Sequence, residues 1–136
     1  MEGQPPDVLA FVIADHVHRD ESTGKFFVLG TRASVGAAAF PFNCASLAAY
    51  ASMTDGRGET SMRLRLVDVD ETRESVLDFE TTVDFFDPTE EVEIAFRLVD
   101  LVFPEPGDYR WQLYGAGQLL RERRFLAIPL ENPGNP

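Results

Sequence analysis

Two histidines, His16 and His18, have the residue type and spacing that could bind a metal ion. They stand two residues apart beside Asp15 and Asp20, and on a β-strand that spacing places both imidazoles on one face, where they could bind Zn²⁺. The surrounding segment is polar and offers no third soft ligand. The sequence therefore favours two exposed histidines in a turn, and we expect no metal site and no cofactor.

Two groups of acidic residues could instead hold a hard cation or act as paired carboxylates. A Ca²⁺ loop needs about six or more oxygen ligands and usually a glycine at its sharp turn, and neither group contains that glycine. Paired carboxylates also serve glycoside hydrolysis, but acids on strand faces and in turns come close by chance. We interpret both groups as solvated turns, and keep a small jelly-roll-like ligand-binding protein or hydrolase with an acidic pocket as the alternative function. The groups are Asp68, Asp70 and Glu71, and Asp87, Glu90 and Glu91.

No nucleophile or nucleotide motif stands out. Cys44 is the single cysteine, so an intrachain disulfide is impossible, and without a recognisable histidine partner it is expected to be a small buried hydrophobic residue. Gly115-Ala116-Gly117 is a fragment of the dinucleotide fingerprint, but it opens a strand where the fingerprint requires a helix, so it is predicted to be a turn. We predict no catalytic residue and no enzymatic activity.

The net charge and the short first apolar run limit which partners and which cellular location we expect. The chain has 136 residues and a formal net charge of −11, which repels nucleic-acid phosphates and anionic lipid headgroups. The first apolar run, residues 8–14, is one strand long and no basic residue precedes it, unlike a secretory signal or a membrane span. We expect a cytoplasmic protein with no nucleic-acid or membrane partner.

The elements that position these residues are predicted to be strands. Apolar and polar residues alternate in short runs between turn signals, which indicates an all-β domain of about eight strands, a sandwich or small barrel. The domain is assigned to residues 8–128, with flexible tails at 1–7 and 129–136 and an irregular crossover at 32–46. The in–out phase of the last strand is left open. The predicted strands are 8–14, 26–31, 47–54, 60–67, 77–85, 92–98, 109–114 and 119–128.

A tyrosine near the start of a late strand favours the sandwich. Tyr109 follows Gly107 by two residues, as in the tyrosine corner of immunoglobulin-like folds. Its ring is expected to pack inward and its hydroxyl to bond backbone near Leu101 or Phe103. Trp111 shares that face and is expected in the core. The predicted fold is thus an antiparallel immunoglobulin-like β-sandwich.

One basic run and one apolar hairpin do not fit a simple half-buried pattern. Arg121, Arg123 and Arg124 are interleaved with Glu122, and are expected to pair with acidic neighbours or to protect an edge strand. The runs 8–14 and 26–29 are apolar on both faces, whereas a sandwich strand has only one face in the core. The second apolar face of these runs must therefore be buried by a chain end, by the 32–46 crossover or by another molecule.

The hairpin is therefore the candidate interface. The sequence predicts a non-enzymatic protein-binding or assembly module whose partner is another protein or a second copy of the chain. The candidate interface residues are Val8, Ala10, Val12, Phe27 and Leu29.

Several strings together resemble a family of small uncharacterised bacterial single-domain proteins, a domain of unknown function. The similarity runs roughly from residue 8 to 128 and implies a β-sandwich fold, with no catalytic residues to carry over. The histidine pair does not match the family pattern. The strings are 23–25 (TGK), 54–59 (TDGRGE), 65–68 (RLVD), and 101–107 (LVFPEPG) followed by Tyr109.

Overall fold

The computed structural model describes residues 3–131, which form nine strands and no helix. The all-β prediction is confirmed, with nine strands where about eight were expected. The strands are β1 (Asp7–Arg19), β2 (Phe26–Thr31), β3 (Ser34–Ala37), β4 (Phe42–Thr54), β5 (Gly58–Asp68), β6 (Leu77–Phe85), β7 (Val92–Phe103), β8 (Gly107–Gly115) and β9 (Gln118–Pro129).

The strands form two packed sheets. One has four strands in the order β2-β1-β4-β7, and the other has five in the order β3-β9-β8-β5-β6. Neighbouring strands are antiparallel except β3 and β9, which run parallel. The β-sandwich is confirmed, and its immunoglobulin-like assignment stays a prediction. Over residues 3–131 the structure contains no helix of the length and hydropathy that a membrane span requires.

The core lies between the sheets and is largely aromatic at one end. Trp111 is fully buried and Tyr109 nearly so, as predicted. The Tyr109 ring packs against Phe103 and the Trp111 ring against Phe125, and these two phenylalanines stack on each other. Alternation puts Met62, Leu64 and Leu66 of β5 on the same inner face. The phase of β9 is now decided, because Phe125 and Ala127 point inward.

The tyrosine corner forms, but with a different acceptor from the one expected. The Tyr109 hydroxyl donates a 2.6 Å hydrogen bond to the backbone carbonyl of Glu105. The prediction of an acceptor near Leu101 or Phe103 is wrong, because the chain turns through Pro104–Gly107 and brings the Glu105 carbonyl within hydrogen-bonding distance of the hydroxyl. Gly107 itself has φ +149°, a backbone conformation that residues other than glycine rarely adopt.

The predicted crossover at 32–46 is the main error in the strand assignment. It contains β3, whose residues Ser34 to Ala37 pair with Leu126 to Pro129, and the first residues of β4. β4 begins at Phe42, where it pairs with Phe103. The turn residues of this segment suggested an irregular structure. Its strands were missed because their pairing partners lie far away in sequence.

The predicted tails are described only in part, because residues 1–2 and 132–136 lie outside the described range. Gln4 forms an isolated antiparallel bridge with Arg57, and Pro6 is buried. At the other end, the amide of Leu130 donates a 2.8 Å hydrogen bond to the carbonyl of Ala37.

Candidate interaction surfaces

The β1–β2 hairpin extends beyond the sheet as an arm, which we define as residues 15–31. β1 pairs with β4 only as far as Ala14, and from there it pairs with β2 alone. At the base of the arm, Arg32 forms a 2.7 Å ion pair with Asp15. At its tip, the Asp20 carboxylate accepts a 2.6 Å hydrogen bond from the Thr23 hydroxyl, which lowers the pKa of Asp20 and closes the turn.

The arm folds back over the outer face of its own sheet. Phe26 pairs with Arg19, and Tyr50 pairs with Val12 on the face opposite the core. A straight strand would separate Val12 from Arg19 by roughly 23 Å at ~3.3 Å per residue. Instead the rings of Phe26 and Tyr50 lie 5.8 Å apart between centroids. Two-stranded ribbons twist strongly, and here twist and curl together bring the arm onto the sheet.

The apolar second face of β1 is partly buried in the structure. Ala14 and its partner Ala48 point away from the core, yet both are buried. Ala10 and Val12 on that face are half-buried. Around Tyr50 the arm itself supplies a contact, an internal cover that the sequence did not suggest.

One face of the arm remains open to solvent. Phe27 is 47% exposed and Leu29 is 52% exposed. The imidazoles of His16 and His18 stack at 6.5 Å, and His18 lies 6.3 Å from the Phe27 ring. These four side chains, His16, His18, Phe27 and Leu29, form what we call the arm face.

The structure separates the five predicted interface residues. Val8 packs against the core, while Ala10 and Val12 lie half-buried on the outer face of the four-stranded sheet. Only Phe27 and Leu29 are exposed together, on the arm face.

The histidines lie on β1 and not in a turn, which corrects their predicted location while confirming that they are exposed. Within residues 3–131, no group of three or more His, Cys, Asp or Glu side chains is placed to hold an ion together.

A second exposed apolar site lies where two edge strands face each other. β6 ends one sheet and β7 ends the other, and an apolar cleft of about 330 Å³ opens between them. Phe79 alternates with polar neighbours along β6 as a core residue would, yet it is 46% exposed and meets the Phe96 ring edge-on at 5.8 Å. It is exposed because β6 is the last strand of its sheet. We call this site the edge cleft, and it is lined by Leu77, Phe79, Ala95, Phe96, Arg97, Leu98 and Val99.

The acidic groups stabilise turns and bind arginines. The Asp68 carboxylate accepts a 3.1 Å hydrogen bond from the Thr72 amide, and Arg73 pairs with both Asp68 and Glu105. These residues line a polar pocket of about 260 Å³. In the second group, the hydroxyl and amide of Thr89 both donate to Asp87 and lower the pKa of its carboxyl.

Burial raises the pKa of three further groups, Cys44, Tyr50 and Tyr109. Burial raises the pKa of the Cys44 thiol, which keeps it protonated, in agreement with its prediction as a small buried residue. Burial together with a hydrogen bond from the Tyr50 hydroxyl to Glu93 raises the pKa of Tyr50 to about 12.

The basic run of β9 joins the two sheets. Arg124 pairs with Asp108 at 3.2 Å, as the sequence suggested for this run. Arg123 instead donates a 2.8 Å hydrogen bond to the Phe11 carbonyl, and Arg121 donates one to the Val8 carbonyl. Both acceptors belong to β1, so these two side chains connect β9 of the five-stranded sheet to β1 of the four-stranded sheet.

Comparison with known proteins supplies a family but no activity. No curated protein matches the chain. Among solved structures, the chain is similar to a β-glucosidase from Listeria innocua in complex with isofagomine (12% identity, TM-score 0.45) and to the β-glucosidase EmGH1 from Erythrobacter marinus (17% identity, TM-score 0.43). The alignments cover 92% and 88% of this chain but only 17% and 15% of those chains, and at these scores they carry no functional argument. A family model described as "Family of unknown function (DUF6941)" matches residues 9–128.

Proposed function

We propose that this protein, which belongs to the DUF6941 family of unknown function, is a non-enzymatic protein-binding or assembly module that binds a partner protein through its arm face. The observation that carries the proposal is the joint exposure of Phe27 and Leu29 on a projecting hairpin. Single exposed apolar residues are ordinary on protein surfaces, but adjacent ones on a protruding element are typical of binding sites.

The two faces of the arm support this role in different ways. On one face, Phe26 contacts Tyr50 and Val28 is half-buried, so the arm is held against the sheet. The other face carries the stacked histidine rings beside Phe27 and Leu29. A prepositioned aromatic and aliphatic surface loses little conformational entropy on binding, which favours affinity. The expected partner presents a complementary apolar patch.

The net charge of −11 supports the rest of the proposal: a cytoplasmic protein without nucleic-acid or membrane partners.

The test uses the full chain as bait, followed by a direct binding measurement with each purified partner. We expect the double substitution F27D/L29D to abolish binding of a specific partner, because two charges would be buried in an apolar contact. Leu119→Asp, which charges an exposed leucine of β9 outside the arm, is the matched control and should leave binding unchanged. Thermal unfolding of both variants should resemble wild type since the substituted side chains are exposed. Undiminished partner binding by F27D/L29D would overturn the proposal.

A further inference from the structure

The outer edge of β7 has the backbone of a strand without a second neighbour. β7 pairs with β4 from Val92 to Phe103, and in residues 3–131 no backbone or side-chain hydrogen bond reaches its other edge. Edges of this length tend to pair with another strand unless charge or irregularity prevents it. The irregularity comes late, at Asp100, which has φ +53° and no partner in the β4 register. Residues 92–99 are therefore a regular, unpaired edge.

The side chains along this edge of β7 are complementary to those of the same edge on a second copy of the chain. Glu93, Ala95 and Arg97 alternate on the outer face of the strand. In an antiparallel pair of two β7 strands centred on Ala95, Glu93 of each copy stands directly opposite Arg97 of the other. Opposite charges at directly facing positions stabilise a strand pair, and like charges destabilise it.

Both charges are available for this pairing. Arg97 makes no ion pair with any described residue, although most other arginines of the chain have an acidic partner. Glu93 accepts the Tyr50 hydrogen bond through one oxygen, which leaves its second oxygen for a partner across the edge. Moving the centre of symmetry by one residue places Glu93 opposite Ala95 or Val99 and loses the reciprocal pairs.

The inner face of the same arrangement is apolar. Ile94 and Phe96 of the added strand would stand opposite Phe96 and Ile94 and point toward the edge cleft, where Phe79 is exposed. Association would therefore remove apolar surface from water on one face and pair charges on the other.

We propose that the protein forms a two-fold symmetric dimer by antiparallel β7–β7 pairing centred on Ala95, joining two four-stranded sheets into one continuous sheet. This surface is separate from the arm face, so the dimer and the proposed partner binding stand or fall independently. A two-fold interface uses the same patch on both copies, which is what a self-complementary edge provides.

Sedimentation velocity of the full chain over a concentration series tests the pairing. Wild type is expected to dimerise, and R97E or E93R alone should weaken the dimer by on the order of tenfold or more, because each puts two like-charge pairs at the interface. The exchanged variant E93R/R97E should restore it. Lys25→Glu makes the same charge change in the arm turn and should have no effect. A wild-type monomer at all concentrations, insensitivity to R97E, or failure of the exchange to restore the dimer would each overturn the proposal.

A cysteine placed at the symmetry centre tests the register directly. Facing residues of antiparallel strands have Cα atoms about 4.5–5.5 Å apart, within the roughly 4.4–6.8 Å span of a disulfide. Ala95→Cys should therefore give a covalent dimer under mild oxidation, with little background since Cys44 is buried. Val99→Cys is the control: it is exposed on the same edge, but its symmetry mate would lie far away. Equal cross-linking of the two variants would overturn the Ala95-centred register.

Discussion

Phe26 of β2 contacts Tyr50 of β4 with ring centroids 5.8 Å apart, although β1 lies between their strands in the sheet order. The contact exists because the distal half of the β1–β2 hairpin returns over the outer face of the sheet. It gives one apolar face of the hairpin an internal partner and leaves the other, with Phe27 and Leu29, open.

Removing the Phe26 ring should release the arm. We expect Phe26→Ala to lower the free energy of unfolding by about 1–2 kcal/mol, because an aromatic pair and half-buried apolar area are lost. Amide hydrogen exchange should accelerate in residues 15–31 more than in β5 or β8. Phe27→Ala, which removes an exposed ring from the next position, should change stability by no more than about 0.5 kcal/mol. Equal effects of the two substitutions would contradict the fold-back contact.

The titration of Tyr50 should be visible at alkaline pH. Burial, and then the hydrogen bond to Glu93, raise its pKa from 10.0 to about 12, so the protonated phenol is favoured in the folded protein. Its contribution to stability is fully present below pH 10.0 and is lost as the pH rises through about 12. Tyrosinate absorbance should show a late phase that Tyr50→Phe reduces but does not abolish, because burial also raises the pKa of Tyr109. A late phase of the same amplitude in wild type and in Tyr50→Phe would contradict the raised pKa of Tyr50.

The hydrogen bond from Arg123 to the Phe11 carbonyl should hold the two sheets together. We expect Arg123→Ala to lower the free energy of unfolding by about 1 kcal/mol, since a part-buried hydrogen bond from a charged donor to a backbone carbonyl is lost. Urea unfolding measures this effect, with Lys25→Ala as the control for removing a surface cation. An unchanged unfolding midpoint would mean that water replaces the guanidinium at no cost.

Gly56 should not accept a side chain. A Cβ atom at this position would lie 2.5 Å from Cγ of Phe85, so the buried ring would have to move. Gly56→Ala is expected to cost about 2 kcal/mol, in the range of overpacked cores. In a double-mutant cycle with Phe85→Ala the penalty of Gly56→Ala should shrink, because the obstructing ring is gone. An unchanged penalty would point to the backbone of the turn as the cause. This contact also gives a physical role to Gly56, the first of the two glycines in the 54–59 string.

The central and later strands were predictable because their evidence is local. In β5, Met62, Leu64 and Leu66 alternate with Arg63 and Arg65, and the period of two assigns one face to the core whatever the neighbouring strand is. Tyr109 and Trp111 were predicted for the same reason, and both are buried. The acceptor of the Tyr109 hydroxyl was not predicted, because it depends on the turn through Glu105.

The candidate surfaces were predicted only in part. The double-sided apolar pattern of the first hairpin pointed to an unusual element, and Phe27 and Leu29 are exposed there. Which of its residues are covered could not be read from the pattern, because the cover is the same hairpin after it curls back. The edge cleft was missed because Phe79 alternates like a core residue, and only the sheet order shows that β6 is an edge.

The sequence by itself determined the all-β class, the inward faces of most strands and the absence of a disulfide, since alternation, turn residues and cysteine count are properties of short segments. The tertiary structure alone decided where the hairpin returns and which strands end the sheets. Those features depend on contacts between residues far apart in the chain, such as Phe26 with Tyr50 and Phe79 with Phe96. The first apolar hairpin is thereby divided into a face held by its own sheet and a face open to solvent.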